Sequence, residues 1–166
     1  MKKIIILFAI PLFLLVGCSM ANTPTSKVEA LFNKYQTLDK EITSGIEDIL
    51  NEQNLSESHK ERYKNILEKQ YKNLTYQIKE EKIDGQTAIV TTQIEVTDFK
   101  NVISGLYFDS AIYTKETYDE EKLNRLEQAK NKITYTLELK LTKKNNQEWE
   151  LNALTNEDIK KIQGMY

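Results

Sequence analysis

The sequence predicts an α+β fold in which a curved antiparallel sheet of at least four strands is covered by helices on one face. Apolar residues recur at helical spacing from residue 26 onwards, and twice later in the chain the apolar period changes to two. Each period-two stretch contains a turn between two alternating halves, which is typical of a β-hairpin. The predicted order of elements is αα-ββ-αα-ββ-α.

The first predicted elements are two amphipathic helices. Ser26 and Glu29 have the spacing of a capping box, so we expect the first helix to begin there. Its apolar pattern continues to Leu50 and loosens at Ser44-Gly45. Polar residues 54–58 interrupt the pattern before the second helix. The apolar positions are Val28, Leu31, Phe32, Tyr35, Leu38, Ile42, Ile46, Ile49 and Leu50, then Tyr63, Ile66, Leu67 and Tyr71.

Two hairpins are predicted from alternating apolar and polar residues. The first begins at Leu74 and turns at Asp84-Gly85, where glycine allows the positive φ of a tight turn. The second begins at Ile133, turns at Asn145-Asn146 and returns through Trp149. Because each strand has one apolar and one polar face, we expect helices to cover a single side of the sheet.

Helices are also expected between the hairpins and at the end of the chain. Residues 98–130 are too many for a bare loop, and apolar side chains have helical spacing after Phe99 and again around Leu123. The pattern assigns no element to residues 109–117. Thr155 and Asp158 are spaced to cap a short last helix, which Gly164 would end.

The N-terminus has the three parts of a secretion signal. Two lysines follow Met1, residues 4–16 are apolar, and small residues come next. An apolar run of this length is too short to span the roughly 30 Å hydrocarbon core of a bilayer. The sequence Leu15-Val16-Gly17-Cys18 resembles the lipobox of bacterial lipoproteins. The resemblance implies cleavage between Gly17 and Cys18 and a diacylglyceryl group, with palmitate-like acyl chains, on Cys18.

This interpretation divides the chain into a signal peptide (1–17), a lipidated cysteine with a short tether (18–25) and one α+β domain (26–166). It explains the single cysteine of the chain, because lipidation uses one thiol. The two acyl chains on that thiol would then provide a durable anchor. The alternative is an ordinary secreted protein cut after Ala21, because Ser19-Met20-Ala21 also has a small-x-small pattern. That cleavage would discard the cysteine.

Size and charge limit the choice of partners. Removal of residues 1–17 leaves 149 residues, the usual size of one domain, with 21 basic against 25 acidic side chains. This balance argues against nucleic acid as a partner. The expected partners are the membrane through the lipid anchor, lipoprotein-processing enzymes, and an unidentified small molecule or envelope protein on the extracytoplasmic face of the cell membrane.

The domain resembles small uncharacterised lipoproteins of Gram-positive bacteria that have an NTF2-like or cystatin-like fold. The resemblance is carried by the long first helix with Val28, Tyr35 and Asp39, by the hairpins, and by the C-terminal sequence from Trp149 to Tyr166. It implies a bent sheet wrapped around a helix, with a conical pocket in some members. It also implies that two copies can dimerise through their sheets.

Some NTF2-like proteins are enzymes in which a carboxylate in an apolar cavity faces a tyrosine. The corresponding residues here would be Asp39, Asp98 or Asp109 with Tyr35, Tyr76 or Tyr135. The alternative is structural: Asp39 is solvated on a helix, Asp98 caps the helix that follows, and the tyrosines are packed in the core. We therefore predict a non-enzymatic binding or interaction module, with a small NTF2-like hydrolase or isomerase as the alternative.

Other chemistry is not indicated by the sequence. His59 is the only histidine and there is no second thiol or imidazole, so we expect an exposed His59 and no metal site. The five glycines form no phosphate-binding loop or dinucleotide motif, and no cofactor is expected. An accessory role in an envelope complex would instead require an exposed apolar patch.

Overall fold

The computed structural model describes residues 22–166, so the predicted cleavage site and Cys18 lie outside the described residues. The described chain forms one four-stranded antiparallel sheet, in the order β1-β2-β3-β4, and six helices. The α+β class is therefore confirmed. The elements are α1 (Pro24–Thr37), α2 (Lys40–Glu52), α3 (Glu57–Lys72), β1 (Thr75–Asp84), β2 (Thr87–Thr97), α4 (Phe99–Ile103), α5 (Lys115–Gln128), β3 (Lys132–Lys143), β4 (Trp149–Leu151) and α6 (Asn156–Ile162).

The first helix begins earlier than the sequence pattern predicted. Thr23 is the N-cap of α1, and its side chain accepts the backbone N–H of Ser26. The capping box therefore joins Thr23 to Ser26, and the predicted pairing of Ser26 with Glu29 was wrong. Pro24 occupies the first helical turn, where its missing N–H costs no hydrogen bond.

The N-terminal region contains three helices instead of the predicted two. Leu38 adopts a left-handed conformation with φ of 51°, which ends α1. The Asp39 carboxylate then accepts the backbone N–H groups of Glu41 and Ile42 at 3.0 and 3.1 Å, so it caps α2. The interruption lies here and not at the predicted Ser44-Gly45, which is inside α2.

Both predicted hairpins are present. The first turns at Gly85, which has a positive φ of 57°, and the second turns between residues 143 and 149. Lys79 is an extra residue in β1, where the register with β2 shifts between Ile78 and Glu80. β4 pairs with β3 over only three residue pairs, so most of the far edge of β3 has no neighbouring strand.

The core lies between one face of the sheet and α1. Phe32 of α1 is completely buried and stacks on Tyr76 of β1 with ring centroids 4.7 Å apart. Ile94 of β2 and Leu137 of β3 lie on the same face and are also buried. Alternate residues such as Thr136 and Glu138 are exposed, as the period of two predicted.

Helices α2, α3 and α5 form a second unit, here called the helical arm. Ile46 and Leu50 of α2, Ile66 and Leu67 of α3, and Leu123 and Leu126 of α5 are buried. Side-chain hydrogen bonds join α3 to α5 in the same order along both helices, from His59–Glu120 to Arg62–Glu127, so these two helices are parallel. The arm is attached where β2 ends and β3 begins.

The helical arm and the sheet meet at a joint made by Gln70, Thr97 and Gly164. The buried Gln70 amide of α3 donates to the Thr97 carbonyl and accepts the Thr97 N–H, both at 3.0 Å. Gly164, with φ of 71°, lies directly against Thr97. Its carbonyl accepts the N–H of Lys100 at 2.9 Å, so the joint also holds α4.

The remaining helix predictions agree with the structure. Asp98 caps α4, as expected from the sequence, and Thr155 and Asp158 form the capping box of α6. Residues 104–114, which include most of the unassigned segment, connect α4 to α5 without a helix or strand. No helix within residues 22–166 has both the length and the hydropathy needed to cross a membrane.

Candidate binding groove and the positions of the predicted site residues

A groove of about 490 Å³ lies between α1 and the chain that contains β4. We call it the α1–β4 groove. Its walls are formed by one side of α1, the start of α2, β4 and the extended residues that follow β4. The lining residues are Lys27, Ala30, Leu31, Lys34, Tyr35, Glu41, Ile42, Trp149, Glu150, Leu151, Asn152, Ala153 and Leu154.

The groove exists because β4 is short. After Leu151 the chain leaves the sheet, and Asn152 keeps only one further backbone bond to β3, from its N–H to the Lys140 carbonyl at 2.9 Å. Residues 152–154 then continue without regular structure until α6. Half-buried Leu31 and Leu154 consequently contribute apolar side chains to opposite walls without a strand between them.

The rim of the groove is charged. Lys34 donates to Glu41 at 2.6 Å, and this hydrogen bond raises the pKa of Lys34. Lys144 lies 3.3 Å from Glu150. Lys27, which also lines the groove, has no acidic partner within 4 Å among residues 22–166. The groove therefore combines an apolar floor with one ammonium group available to an anion.

Asn22 holds the beginning of the described chain against this groove. Its side-chain amide donates to the Gln147 carbonyl, and its side-chain oxygen accepts the Trp149 N–H, both at 2.9 Å. Trp149 is buried and forms part of the groove wall. The described chain therefore begins beside the groove.

Of the predicted pocket residues, Tyr35 lies in the α1–β4 groove. Its ring is buried and makes an edge-to-face contact with Tyr71 at 5.0 Å between centroids. Burial raises the pKa of the Tyr35 hydroxyl, and burial also raises the pKa of Tyr71 to about 12. Both phenols stay protonated at neutral pH and act as packed side chains with a polar edge.

Tyr76 and Tyr135 lie in one row across the sheet, on either side of Ile94. Tyr76 stacks on Phe32, while the Tyr135 hydroxyl donates to the Tyr166 carbonyl at 2.8 Å. Burial, and next the negative charge of Asp98, raise the pKa of Tyr135. Neither tyrosine lines the α1–β4 groove.

The three candidate carboxylates form local hydrogen bonds at chain turns. Asp39 caps α2 and Asp98 accepts the Asn101 N–H at the start of α4. Asp109 accepts the Ala111 N–H at 2.8 Å in the following loop. The expectation of a solvated Asp39 on a helix was therefore wrong in detail, because it is a capping residue. None of the three carboxylates lines the α1–β4 groove.

His59 was expected at the surface, and this prediction was wrong. Only 4 % of the residue is exposed, because its imidazole is enclosed between α3 and α5. Its Nε2 lies 3.1 Å from Glu120 and 3.8 Å from Glu116, and its Nδ1 is buried without a hydrogen-bond partner among the described residues. The nearby sequence gave no sign of α5, which follows more than 50 residues later.

Arg62 is the centre of the charge network around His59. Its guanidinium forms a two-point contact with Glu127 at 2.8 Å and donates to Glu120 at 2.7 Å and to Asn124 at 2.8 Å. These hydrogen bonds lower the pKa values of Glu120 and Glu127. A single guanidinium therefore joins α3 to two carboxylates of α5.

A second pocket of about 160 Å³ lies at the joint, between Ile66, Phe99 and Leu126. Its buried polar wall is Gln70, and both polar atoms of that side chain are already bonded to Thr97. Within the described chain, no group of three or more His, Cys, Asp or Glu residues is placed to hold a metal ion.

Comparison of the chain with protein-family models, with curated proteins and with solved structures finds no match. The α1–β4 groove is the larger of the two pockets described above.

Proposed function

We propose that this protein is a lipid-anchored, extracytoplasmic binding module whose α1–β4 groove holds an amphipathic ligand. The observation that carries the proposal is the groove itself, which has an apolar floor and ends beside Asn22. Leu31 and Leu154 would contact the apolar part of the ligand, and the unpaired Lys27 ammonium would attract an anionic group. Three residues lie between Asn22 and the proposed anchor at Cys18.

The geometry favours binding over the alternative of an NTF2-like hydrolase or isomerase. Such chemistry requires a carboxylate facing a phenol inside an apolar cavity. The acidic residues that line the α1–β4 groove are Glu41 and Glu150, and each is paired with a lysine. Asp98 is near Tyr135, but the two side chains bond instead to Asn101 and Tyr166.

Binding can be tested with dodecanoate and dodecanol as probes on the mature chain with Cys18→Ser, which carries no lipid. We expect both probes to shift the amide NMR signals of residues 27–42 and 149–154. Leu154→Gln should weaken binding about tenfold, because it replaces an apolar contact with a polar one. Lys27→Gln should weaken dodecanoate binding and leave dodecanol binding unchanged.

The matched control is Ile83→Gln, which alters an exposed apolar residue on the β1–β2 hairpin, away from the groove. Equal weakening by Leu154→Gln and Ile83→Gln would contradict the proposal. It would also fail if neither probe shifted the groove signals.

The anchor requires its own test. Mass analysis of the mature protein should show an N-terminal cysteine carrying a diacylglyceryl group, and Cys18→Ala should release the protein from the membrane fraction. An unmodified N-terminus at Asn22 would show that the alternative cleavage after Ala21 is correct.

A further inference from the structure

The loop between α4 and α5 exposes a cluster of large apolar side chains. Tyr107 is 69 % exposed, Phe108 51 % and Ile112 67 %. Among residues 22–166 only two other large hydrophobic residues, Ile83 and Tyr166, are exposed. Single exposed apolar residues are ordinary on protein surfaces, whereas three within six residues indicate a contact surface. We call Tyr107, Phe108 and the neighbouring Ile112 the aromatic patch.

The aromatic patch is held in a defined conformation. Phe108 and Tyr113 each make an edge-to-face contact with Tyr118, with centroids 5.6 and 5.9 Å apart. The Asp109 carboxylate accepts the Ala111 N–H, and a capping box at Thr114 starts α5 immediately after the loop. A surface ordered in advance loses less conformational entropy when it binds.

The charged side chains within four residues of the aromatic patch are Asp109, Glu116 and Lys115, which sum to one negative charge. Asp109 lies within the loop, and Glu116 in the first turn of α5 has a side chain that is 72 % exposed. Both lysines of α5 have a partner within the described chain, while exposed Lys100 of α4 lies seven residues before Tyr107. Lys115 is paired with the buried Asp119, and Lys122 lies over the Tyr63 ring at 5.8 Å, where burial lowers its pKa.

The aromatic patch and the start of the described chain are attached to opposite ends of the sheet. Asn22 is bonded at the β3–β4 turn, while α4 leaves from Thr97 at the end of β2 that pairs with Lys132. The 11 residues of β2 alone span about 35 Å. If the chain is anchored through Cys18 as proposed above, the patch is attached at the end of the sheet that lies opposite the anchored end.

We propose that the aromatic patch docks on a protein partner that offers an apolar pocket bordered by lysine or arginine. Aromatic side chains at the centre of an interface contribute most of its binding energy, and the acidic border selects a basic partner. The same border disfavours a second copy of this chain and an anionic lipid surface. Only the argument from position rests on the proposed anchor; the argument from charge does not.

The test is site-specific photocrosslinking from exposed Ser110, within the loop, using the full chain in its native cells. Mass spectrometry then maps the peptide to which the crosslink has formed. We expect one protein to be crosslinked through an apolar peptide flanked by lysine or arginine. The double substitution Tyr107→Ser and Phe108→Ser should reduce the crosslink yield at least about tenfold, while Ile83→Ser, an equally exposed apolar site elsewhere, leaves the yield unchanged.

Four outcomes would overturn the docking proposal: crosslinks to a second copy, to lipid, to peptides without basic residues, or to nothing. Circular dichroism of each purified variant verifies that it is folded, which is expected because the substituted side chains are exposed. The groove variant Leu154→Gln should retain the Ser110 crosslink. A chain that fails to bind dodecanoate but still crosslinks would contradict the proposed function and leave the docking surface established.

Discussion

The sheet with α1 and the helical arm are stabilised by different forces. Under α1 the packing is apolar, as with Phe32 against Tyr76 and Ile94. The arm adds a charge network to its apolar core. In this network Arg62 is bonded to two glutamates, Glu120 and Glu127. The enclosed His59 also contacts Glu120. Apolar packing depends little on pH or salt, whereas charge pairs at the surface depend on both. We therefore expect the arm to loosen first under acid or high salt.

The largest effect is expected at the joint between the two regions. In Gly164→Ala the added Cβ would lie 2.0 Å from the Thr97 carbonyl oxygen at a residue with φ of 71°. Left-handed strain and overpacking together should lower the free energy of unfolding by about 3–5 kcal/mol. Urea denaturation measures this change.

Gly45→Ala is the matched control for that substitution. Gly45 lies inside α2, and a Cβ there meets no atom within 4 Å. This change should stabilise the protein by about 0.5–1 kcal/mol, because alanine favours a helix more than glycine does. Similar destabilisation by both substitutions would show that Gly164 has no special role at the joint.

A smaller loss is expected from Gln70→Ala. The substitution removes both hydrogen bonds to the Thr97 backbone and leaves that N–H and carbonyl without their side-chain partner. We expect a loss of about 2–3 kcal/mol. Hydrogen exchange should show faster opening of both α3 and the end of β2. The control is Gln77→Ala at an exposed position of β1. If this control accelerated exchange in α3 and at the end of β2 to the same degree, the Gln70 hydrogen bonds would have no special role at the joint.

The next prediction tests whether the helical arm and the sheet with α1 open independently. Arg62→Ala removes the bonds from α3 to Glu120, Asn124 and Glu127. Because the guanidinium is partly exposed, we expect a loss of only about 1–2 kcal/mol. Hydrogen exchange should accelerate in α5 and remain unchanged in α1. If α1 responded as strongly as α5, the two regions would be a single cooperative unit.

The smallest effect is the acid response of the arm. Arg62 holds the pKa values of Glu120 and Glu127 below their ordinary value of 4.5. A carboxylate with a lowered folded-state pKa stabilises the fold above the unfolded-state value, and this contribution disappears as pH falls through the folded-state pKa. Stability should therefore decline below about pH 4.5 in the native chain. Arg62→Ala should show a shallower decline, as measured by thermal unfolding against pH.

Local patterns in the sequence were sufficient for most of the fold. The period of two identified both hairpins because one face of each strand is buried, and Thr155 with Asp158 identified the start of α6. The end of α1 was not predictable in this way. Leu38 adopts a left-handed conformation without glycine, although Asp39 immediately after it was a signal for a helix start that could have been used.

The candidate sites depended on contacts between distant parts of the chain. The α1–β4 groove joins residues 27–42 to residues 149–154, and its shape follows from how soon β4 ends. Tyr35 is the one predicted pocket residue that lines this groove. Burial of His59 required α5 to pack on α3, which no local pattern specified. The NTF2-like assignment and the lipid anchor remain predictions.

The bulge at Lys79 has a consequence for how copies of this chain can meet. β1 is one of the two edge strands of the sheet, and such an edge can recruit a strand from a neighbouring molecule. The extra residue interrupts the regular row of backbone groups, and the charged side chains of residues 79–82 surround the interruption. Copies of this chain are thereby discouraged from pairing through β1 and forming aggregates.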